Sequence, residues 1–397
     1  MGFGRKRPPY IPIPGTHLLP LGAITRMSYA DPSAGKSPVS EYSAKPVVSV
    51  VIPVRNAALC LQRCLEAVAA STYSRFEIIV VDDGSTDSTA SIAERFGAVC
   101  LATGGTLGPA AARNRGAERA QGEILLFVDA DVVVRRDALE IVAEAFSKDS
   151  QLAALFGSYD DAPPCNNIIS QYKNLLHHYI HQISNPDATT FWTGLGAIRR
   201  CVFMATGGFN EKRYRRPSIE DVELGYRLRQ AGHKILLDKR LRGKHLKRWN
   251  LLSLLGTDIL CRAIPWSFLI LETKNLPKDL NFRFSHRLSS LLVGLLVPMP
   301  FVFLLPHRTF RGAPFLPAIL LGWFFLLSCI VFLNRQVYRL FARRRGYVFA
   351  MAGMILHLFY YFYSGLAFAL CCGVHWSRAL RLGFRTSAGL HGGRPGN

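Results

Sequence analysis

Three stretches of this chain, Leu288–Pro306, Phe315–Leu333 and Val348–Val374, contain no Asp, Glu, Lys or Arg. Each is long enough to cross about 30 Å of hydrocarbon as a helix. A transmembrane region over residues 288–374 with three spans is therefore expected. Pro298 and Pro300 fall in the first span; a bilayer helix tolerates them where neighbours satisfy the freed carbonyls, and a re-entrant hairpin is the alternative there.

The charge follows the same division. The net charge is +21, yet no acidic residue follows Asp279, while arginines from Arg308 to Arg394 flank the apolar runs. No basic and aromatic binding module accompanies them, so membrane lipids with anionic headgroups are the expected partner, and nucleic acid is not. The densest run, RQVYRLFARRRG from Arg335 to Gly346, reads as a cytoplasmic loop by the positive-inside rule. Counting back across two spans puts the N-terminal domain on that side as well, in a multi-pass membrane protein. Residues 1–46 read as a flexible basic, Pro-rich arm without a signal-peptide core, and residues 375–397 as a basic tail. Leu251–Glu272 is apolar but interrupted by Asp258 and Arg262, so residues 251–287 read as an amphipathic segment at the membrane interface. Nine cysteines without a C-x-x-C pair or zinc spacing suit reduced, mostly buried thiols.

Residues 47–250 have a different grammar. VVSVVIPVRN, a helical AALCLQRCLEAVAAS, a second apolar run FEIIVVDD and a helical STASIAERFG alternate as strand, helix, strand, helix. This is the opening of an α/β domain with a mostly parallel sheet. Ligands in such sheets bind beyond the carboxyl ends of the strands, where Asp82 and Asp83 fall. Adjacent like charges need a cation or hydrogen-bond donors; Ser85, Thr86 and Asp87 alone fit a loop of Asx-turns equally well. The first strand-to-helix turn, PVRNAALC, has no glycine, which argues against a dinucleotide-binding dehydrogenase. Arg113 and Asn114 lie early in a helix from GPAAARNRGAERA and could face a nucleotide. In GEILLFVDADVVV, Asp129 and Asp131 are spaced i, i+2, which on a strand aims both carboxylates to one face; Mg2+ or Mn2+ together with phosphate oxygens would balance them.

VVSVVIPVRN, EIIVVDDGSTDST, GPAAARNRG, LLFVDADVV and IEDVELGYRLRQAG, in that order, resemble the family 2 glycosyltransferases of the GT-A fold. The resemblance implies a GT-A nucleotide-sugar-binding domain followed here by C-terminal transmembrane helices. It also implies a nucleotide-diphosphate-sugar donor and a divalent cation, Mg2+ or Mn2+. By the family's pattern Pro53 and Arg55 border the base, Asp83 contacts it, Arg113 lies near it, Asp129 reaches the ribose side and Asp131 binds the metal. Arg55 departs from the aromatic residue usual before this Asn.

In the acceptor half, Gly194 suits a tight turn near a sugar, and Trp192 offers either a stacking face or simple core packing. Glu220 and Asp221 open a helix whose first turn favours acids in any case. The resemblance implies that this Glu-Asp pair, with Asp221 as the base, takes the acceptor hydroxyl proton. His245, among Lys244, Lys247 and Arg248, is by residue type a solvated surface histidine; the resemblance brings it towards the metal. The run HLKRW keeps the Arg and Trp of the processive Q-x-x-R-W motif but not its Gln, which favours a single addition over polymer synthesis. The expected activity is inverting transfer of one sugar to a hydroxyl of a lipid or lipid-linked glycan. The alternatives are polyprenyl-phosphate glycosyl transfer, or a non-catalytic membrane scaffold or transport protein with a degenerate domain.

Overall fold

The computed structural model describes residues 46–276, 280, 283–299 and 315–390. The expected N-terminal arm lies outside the described residues apart from its last position, as do the end of the first apolar stretch and residues 391–397 of the basic tail. From the N-terminus run β1 (Val48–Val54), α1 (Ala58–Ala69), β2 (Phe76–Asp82), α2 (Thr89–Arg95), β3 (Val99–Ala102), α3 (Pro109–Arg119), β4 (Ile124–Val128), β5 (Val132–Val134), α4 (Ala138–Lys148) and β6 (Leu152–Tyr159). There follow α5 (Ile168–Ile183), β7 (Leu195–Arg199), α6 (Arg200–Ala205), α7 (Glu220–Gln230) and β8 (Lys234–His245). Eight strands form one sheet in the order β3-β2-β1-β4-β7-β6-β8-β5. β1 pairs in parallel with β2 and β4, and β2 with β3; β7 runs antiparallel to both β4 and β6, and β5 antiparallel to β8. The sheet is mixed and mostly parallel, as the alternation of strands and helices leads one to expect.

Alternation along the strands builds a core on each face. Val51, Ile79, Leu125 and Phe127 pack with the alanines of α3 and with Tyr172, Leu175 and Leu176 of α5. Val50, Ile52, Val80 and Leu126 point the other way, against Leu61, Leu65 and Val68 of α1 and Leu139 and Val142 of α4. Burial on both faces explains why β1, β2 and β4 read as near-continuous apolar runs. The carboxyl ends of β1, β2 and β4 then open together along one edge of the sheet, which is where the acidic motifs emerge.

Beyond β8 the described residues are mostly helical. α8 (Leu251–Gly256), a π-helical stretch Thr257–Ala263 and α9 (Ile264–Thr273) run on without a break. Leu251–Thr273 is long and apolar enough to cross a membrane, whereas the sequence suggested a segment lying at the interface. Asp258, which interrupts the apolar run in the sequence, is buried against the protein by Lys173 and Tyr363. α10 (Phe284–Leu296) covers only the first part of the expected first span. α11 (Phe315–Leu333) matches the second apolar stretch. α12 (Arg335–Leu390) contains the third, and its stretch Arg335–Arg378 is likewise long and apolar enough to cross. The arginine-rich run is not a loop: it is the first arm of α12, which breaks at Gly346 (φ 85°, ψ 170°). That arm folds back on the α/β domain through Arg345 Nε donating to Gln171 Oε1 (2.6 Å) and an Arg344–Asp161 ion pair.

Candidate active site

The first wall of the site is the pair of loops after β1 and β2. Asn56, in a left-handed conformation (φ 47°), accepts from the Thr86 N–H (2.7 Å), and its own N–H donates to Ser85 Oγ (2.8 Å). Asp87 accepts from the N–H groups of Ala58 and Thr89, which fixes the start of α1 against the same loop. The hydroxyl-rich stretch therefore builds the turn, the plainer of its two readings. Pro53 is half-buried at the end of β1, while Arg55 is exposed with nothing aromatic in its place. Asp82 accepts from the Ser85 N–H (2.9 Å). Asp83 is buried and accepts from Thr103 Oγ1 (2.8 Å), Leu107 N–H (2.8 Å) and Gly108 N–H (2.9 Å). Three of its roughly four lone-pair directions are thus spent on the 103–108 loop. Gly108 (φ 97°) leaves no room for a side chain, since a Cβ there would meet Arg215 O at 2.4 Å.

The D-x-D does not sit on a strand. β4 ends at Val128, and Asp129, Ala130 and Asp131 form a tight turn closed by the Val132 N–H donating to Asp129 O (2.9 Å). The i, i+2 argument for a shared face therefore fails, and the two carboxylates part company. Asp129 accepts from Arg113 Nη2 (2.7 Å). Asp131 Oδ2 lies 3.4 Å from His245 Nε2. The pairing of β5 with β8 sets Val132 opposite His245, and the Leu246 N–H donates to Asp131 O (2.8 Å), so the two groups are held by backbone. Burial pushes the Asp131 carboxyl up, but His245 and then Lys247 outweigh it and bring it below the usual range.

His245 is buried rather than solvated, with its ring stacked on Tyr159 (centroids 4.2 Å, interplanar 6°). The stack continues from Tyr159 to His177 (4.4 Å) and from His177 to His181 (4.0 Å), with Trp192 alongside His177 at 4.8 Å. Burial, reinforced for His177 by the neighbouring His181, holds His177 well below its ordinary pKa; burial brings His181 down to about 4. Both rings are therefore neutral near pH 7. Trp192 is half-buried and packs against the core, the plainer of its two readings. Gly194 is required beside it, because a Cβ there would stand 2.3 Å from the Trp192 ring. α5 contributes His177 and His181, which belong to none of the sequence motifs; their i, i+4 spacing on one helix face is the signal the sequence carries.

Arg113 and Asn114 make their contacts within the protein. Arg113 is buried, with Nη2 on Asp129 and Nη1 on Glu220 Oε1 (2.9 Å). Asn114 donates to Phe209 O (2.9 Å) and accepts from the Phe209 N–H (2.9 Å), pinning the chain before α7. Glu220 is likewise occupied, since its second oxygen accepts from the Ser218 N–H (2.9 Å). Asp221 is the accessible member of the pair. Its carboxylate accepts from the Thr193 N–H (3.1 Å), Thr193 Oγ1 (3.3 Å) and Val222 N–H (2.8 Å). Burial and then the Glu220 charge push its pKa up to about 6.

The arrangement thus offers two working points. Asp131 and His245 are close enough to be neighbouring ligands of one cation. Among the described residues no group of three or more His, Cys, Asp or Glu side chains forms a complete cage, so such a cation would take its remaining ligands from water and a bound anion. Asp221 is a carboxylate whose basicity is raised towards neutrality.

The sequence profile described as glycosyl transferase family 2 matches residues 49–207, the region that contains the first wall and the D-x-D turn. The chain carries a family 2 glycosyl transferase domain. Its relatives include the glycosyltransferase AglE of Haloferax volcanii, 43% identical over 105 residues, which are 25% of this chain and 34% of that protein. The glycosyltransferase GlyG of Streptococcus pneumoniae is 34% identical over 119 residues, 28% of this chain and 39% of that one. The chain thus spans less than half the length of these two curated relatives. Among solved structures, the mannosyltransferase PcManGT of Pyrobaculum calidifontis, in complex with GDP-Man and Mn2+, superimposes with a TM-score of 0.43 at 18% identity over 85% of this chain and 89% of that one. TarS of S. aureus, residues 1–349 in complex with UDP-GlcNAc, gives 0.45 at 18% identity over 79% of this chain and 89% of that one. The matched part of the family 2 domain stops before α7 and β8, so Asp221 and His245 come from segments beyond it.

Proposed function

We propose that the protein is a membrane-associated, metal-dependent, inverting glycosyltransferase that moves one sugar from a nucleotide-diphosphate-sugar to a hydroxyl of a lipid or lipid-linked glycan. The observation that carries this reading is the division of labour in the Glu220-Asp221 pair: Glu220 is tied to Arg113 and Ser218, and Asp221 is left as a carboxylate with a pKa near 6. A group of that basicity takes a proton at neutral pH and releases it again. In the transfer, the acceptor O–H proton passes to an Asp221 oxygen as the acceptor oxygen bonds to the anomeric carbon. The bond from that carbon to the donor's diphosphate breaks, and the nucleotide diphosphate leaves with the electron pair. Attack opposite the leaving group inverts the anomeric centre.

Asp131 and His245 would hold the divalent cation, Mg2+ or Mn2+, which when bound supplies positive charge to the diphosphate leaving group. Their fixed separation of 3.4 Å and the neutral stack behind His245 fit that use. Exposed Lys247, its ammonium 4.1 Å from the centroid of the Trp249 ring, lies on the same side and would add to the stabilisation of the departing charge. Pro53, Arg55 and Asp82 border the space for the nucleoside, and Asp83 shapes it through the 103–108 loop.

Membrane attachment is supported by the two long apolar helices and by the docking of Arg344 and Arg345 on the α/β domain. That contact ties the arginine-rich arm and the catalytic domain to one side of the bilayer, which the positive-inside rule makes the cytoplasm. The reading is tested by incubating the full chain in detergent with a panel of nucleotide-sugars, Mn2+ or Mg2+, and extracted membranes. Sugar transfer into the lipid fraction is expected from the wild type and not from Asp221→Asn; no incorporation from any donor would sink it.

A further inference from the structure

Resting on the glycosyl-transfer reading above, we propose that Arg262 binds a phosphate group of the acceptor, so that the acceptor is a phosphate-bearing lipid whose hydroxyl reaches Asp221 while its phosphate rests on the π-helical stretch.

Asp258 is buried and accepts from Lys173 Nζ at 2.5 and 2.8 Å and from the Tyr363 hydroxyl at 2.8 Å. Lys173 alone neutralises it. Arg262, one turn further along, approaches the same carboxylate only at 3.9 Å, and its side chain is 43% exposed. Its positive charge is therefore surplus to the buried pair, and five N–H donors on a planar fork suit a phosphate better than a sugar hydroxyl.

Cys261, the residue before Arg262, accepts from Ser218 Oγ (3.2 Å), and the Ser218 N–H donates to Glu220 Oε2 (2.9 Å). The π-helical stretch is thereby fastened to the start of α7, where Asp221 stands. Arg262 is also within electrostatic reach of Asp221, Tyr159 and His177, the base and two members of the ring stack. The half-buried His177 has an Nδ1 that is shielded from solvent and without a protein partner. A neutral sugar acceptor brings no charge to the exposed Arg262 guanidinium; an anionic group on the acceptor does.

The anion should carry an apolar tail. The helix that presents Arg262 exposes Leu251, Leu252 and Leu260, and Leu251–Thr273 is one of the segments apolar enough for a bilayer. A phosphate ester with a hydrocarbon chain could lie along it with its charge at Arg262.

The test uses the full chain in phosphatidylcholine nanodiscs, without donor, titrated with farnesyl phosphate, farnesol and inorganic phosphate. Farnesyl phosphate should bind the wild type more tightly than either of the others. Arg262→Gln should weaken farnesyl phosphate by about tenfold or more and leave farnesol unchanged, with partial rescue in Arg262→Lys. Arg339→Gln, which removes an exposed arginine elsewhere on the membrane helices, should have no effect, and the melting temperature in nanodiscs checks that each variant is folded. Equal binding of farnesyl phosphate and farnesol, equal competition by inorganic phosphate, or an equal loss in Arg339→Gln would overturn the proposal. So would transfer of sugar onto the phosphate of farnesyl phosphate when donor is added, since the phosphate would then sit at the reaction centre. Because binding is read without turnover, a tight, Arg262-dependent site in a protein that transfers no sugar would refute only the activity.

Discussion

Arg113 Nη1 donates to Glu220 Oε1 at 2.9 Å while its Nη2 holds Asp129 at 2.7 Å, so a single buried guanidinium joins the D-x-D turn to the start of α7. The two halves of the site, one from the first strands and one from the second half of the domain, are fixed to each other at this point. Replacing Arg113 with Met leaves Glu220 buried and unpaired, a loss of about 3 kcal/mol or more. Adding Glu220→Gln to that variant should recover part of the loss, because the uncompensated charge is gone. Denaturant titration of the two variants decides it, and equal stability of single and double would mean that the bridge holds nothing together.

The cation pair makes a separate prediction. If Asp131 and His245 hold the proposed cation, Asp131→Ala and His245→Ala should each lower turnover by roughly 10² or more. Chelation of the wild type should have the same effect and be reversed by added Mn2+ or Mg2+. Calorimetric titration of the ion together with a nucleoside diphosphate gives a readout free of turnover. Retention of full activity in chelator would remove the metal from the reaction.

The strands, their parallel opening and the strand-end location of the site were legible in the sequence because two-sided burial writes itself as β-branched apolar runs ending in acids, as in EIIVVDD. What Arg113, Asn114 and Glu220 do was not legible. Each is polar and near a motif, and only tertiary distance reveals that Arg113 pairs with Asp129 and Glu220, that Asn114 holds Phe209 and that Glu220 accepts from the Ser218 N–H. His245 misleads for the opposite reason: its neighbours in sequence are basic, but β-pairing with Val132 turns it inward onto Tyr159. Asp258 likewise looked like a break in an apolar helix, because its partners Lys173 and Tyr363 lie far away in the chain.

The helical region should be structurally coupled to the catalytic domain. The Tyr363 hydroxyl reaches Asp258, Arg345 holds Gln171, and Phe341 of α12 packs on Tyr172 of α5 with ring centroids 6.0 Å apart. Truncation after Arg287 would remove all three partners and uncover Tyr172, which is 1% exposed in the whole chain. Such a fragment is expected to aggregate or unfold at lower temperature than the full protein, and Tyr363→Phe alone to cost about 1–2 kcal/mol. A fragment that stays monomeric with the melting temperature of the full chain would show the coupling to be absent.

Asp221 ties the chemistry to pH. As a proton acceptor it must be ionised, so with its pKa near 6 the rate should fall off below about pH 6. Glu220→Gln takes away the second-largest cause of the upward shift and should move that limb to lower pH, with a smaller change in rate at pH 7. Asp221→Asn keeps the acceptor for the Thr193 N–H but cannot take a proton; transfer should drop by roughly 10² to 10⁴ and the acidic limb should disappear. Stability should move the other way. The folded pKa lies above the unfolded one, so the native state binds the extra proton between about pH 4 and 6, and stability from this group is present at low pH and lost as pH rises through 6. At pH 7 the wild type therefore carries a buried charge that Asp221→Asn lacks, and the variant should be the more stable of the two by about 1–3 kcal/mol, a margin that vanishes near pH 4. A pH series of unfolding curves measures this directly. If Asp221 only capped α7, the asparagine would instead be slightly less stable at every pH and turnover per folded molecule would be intact.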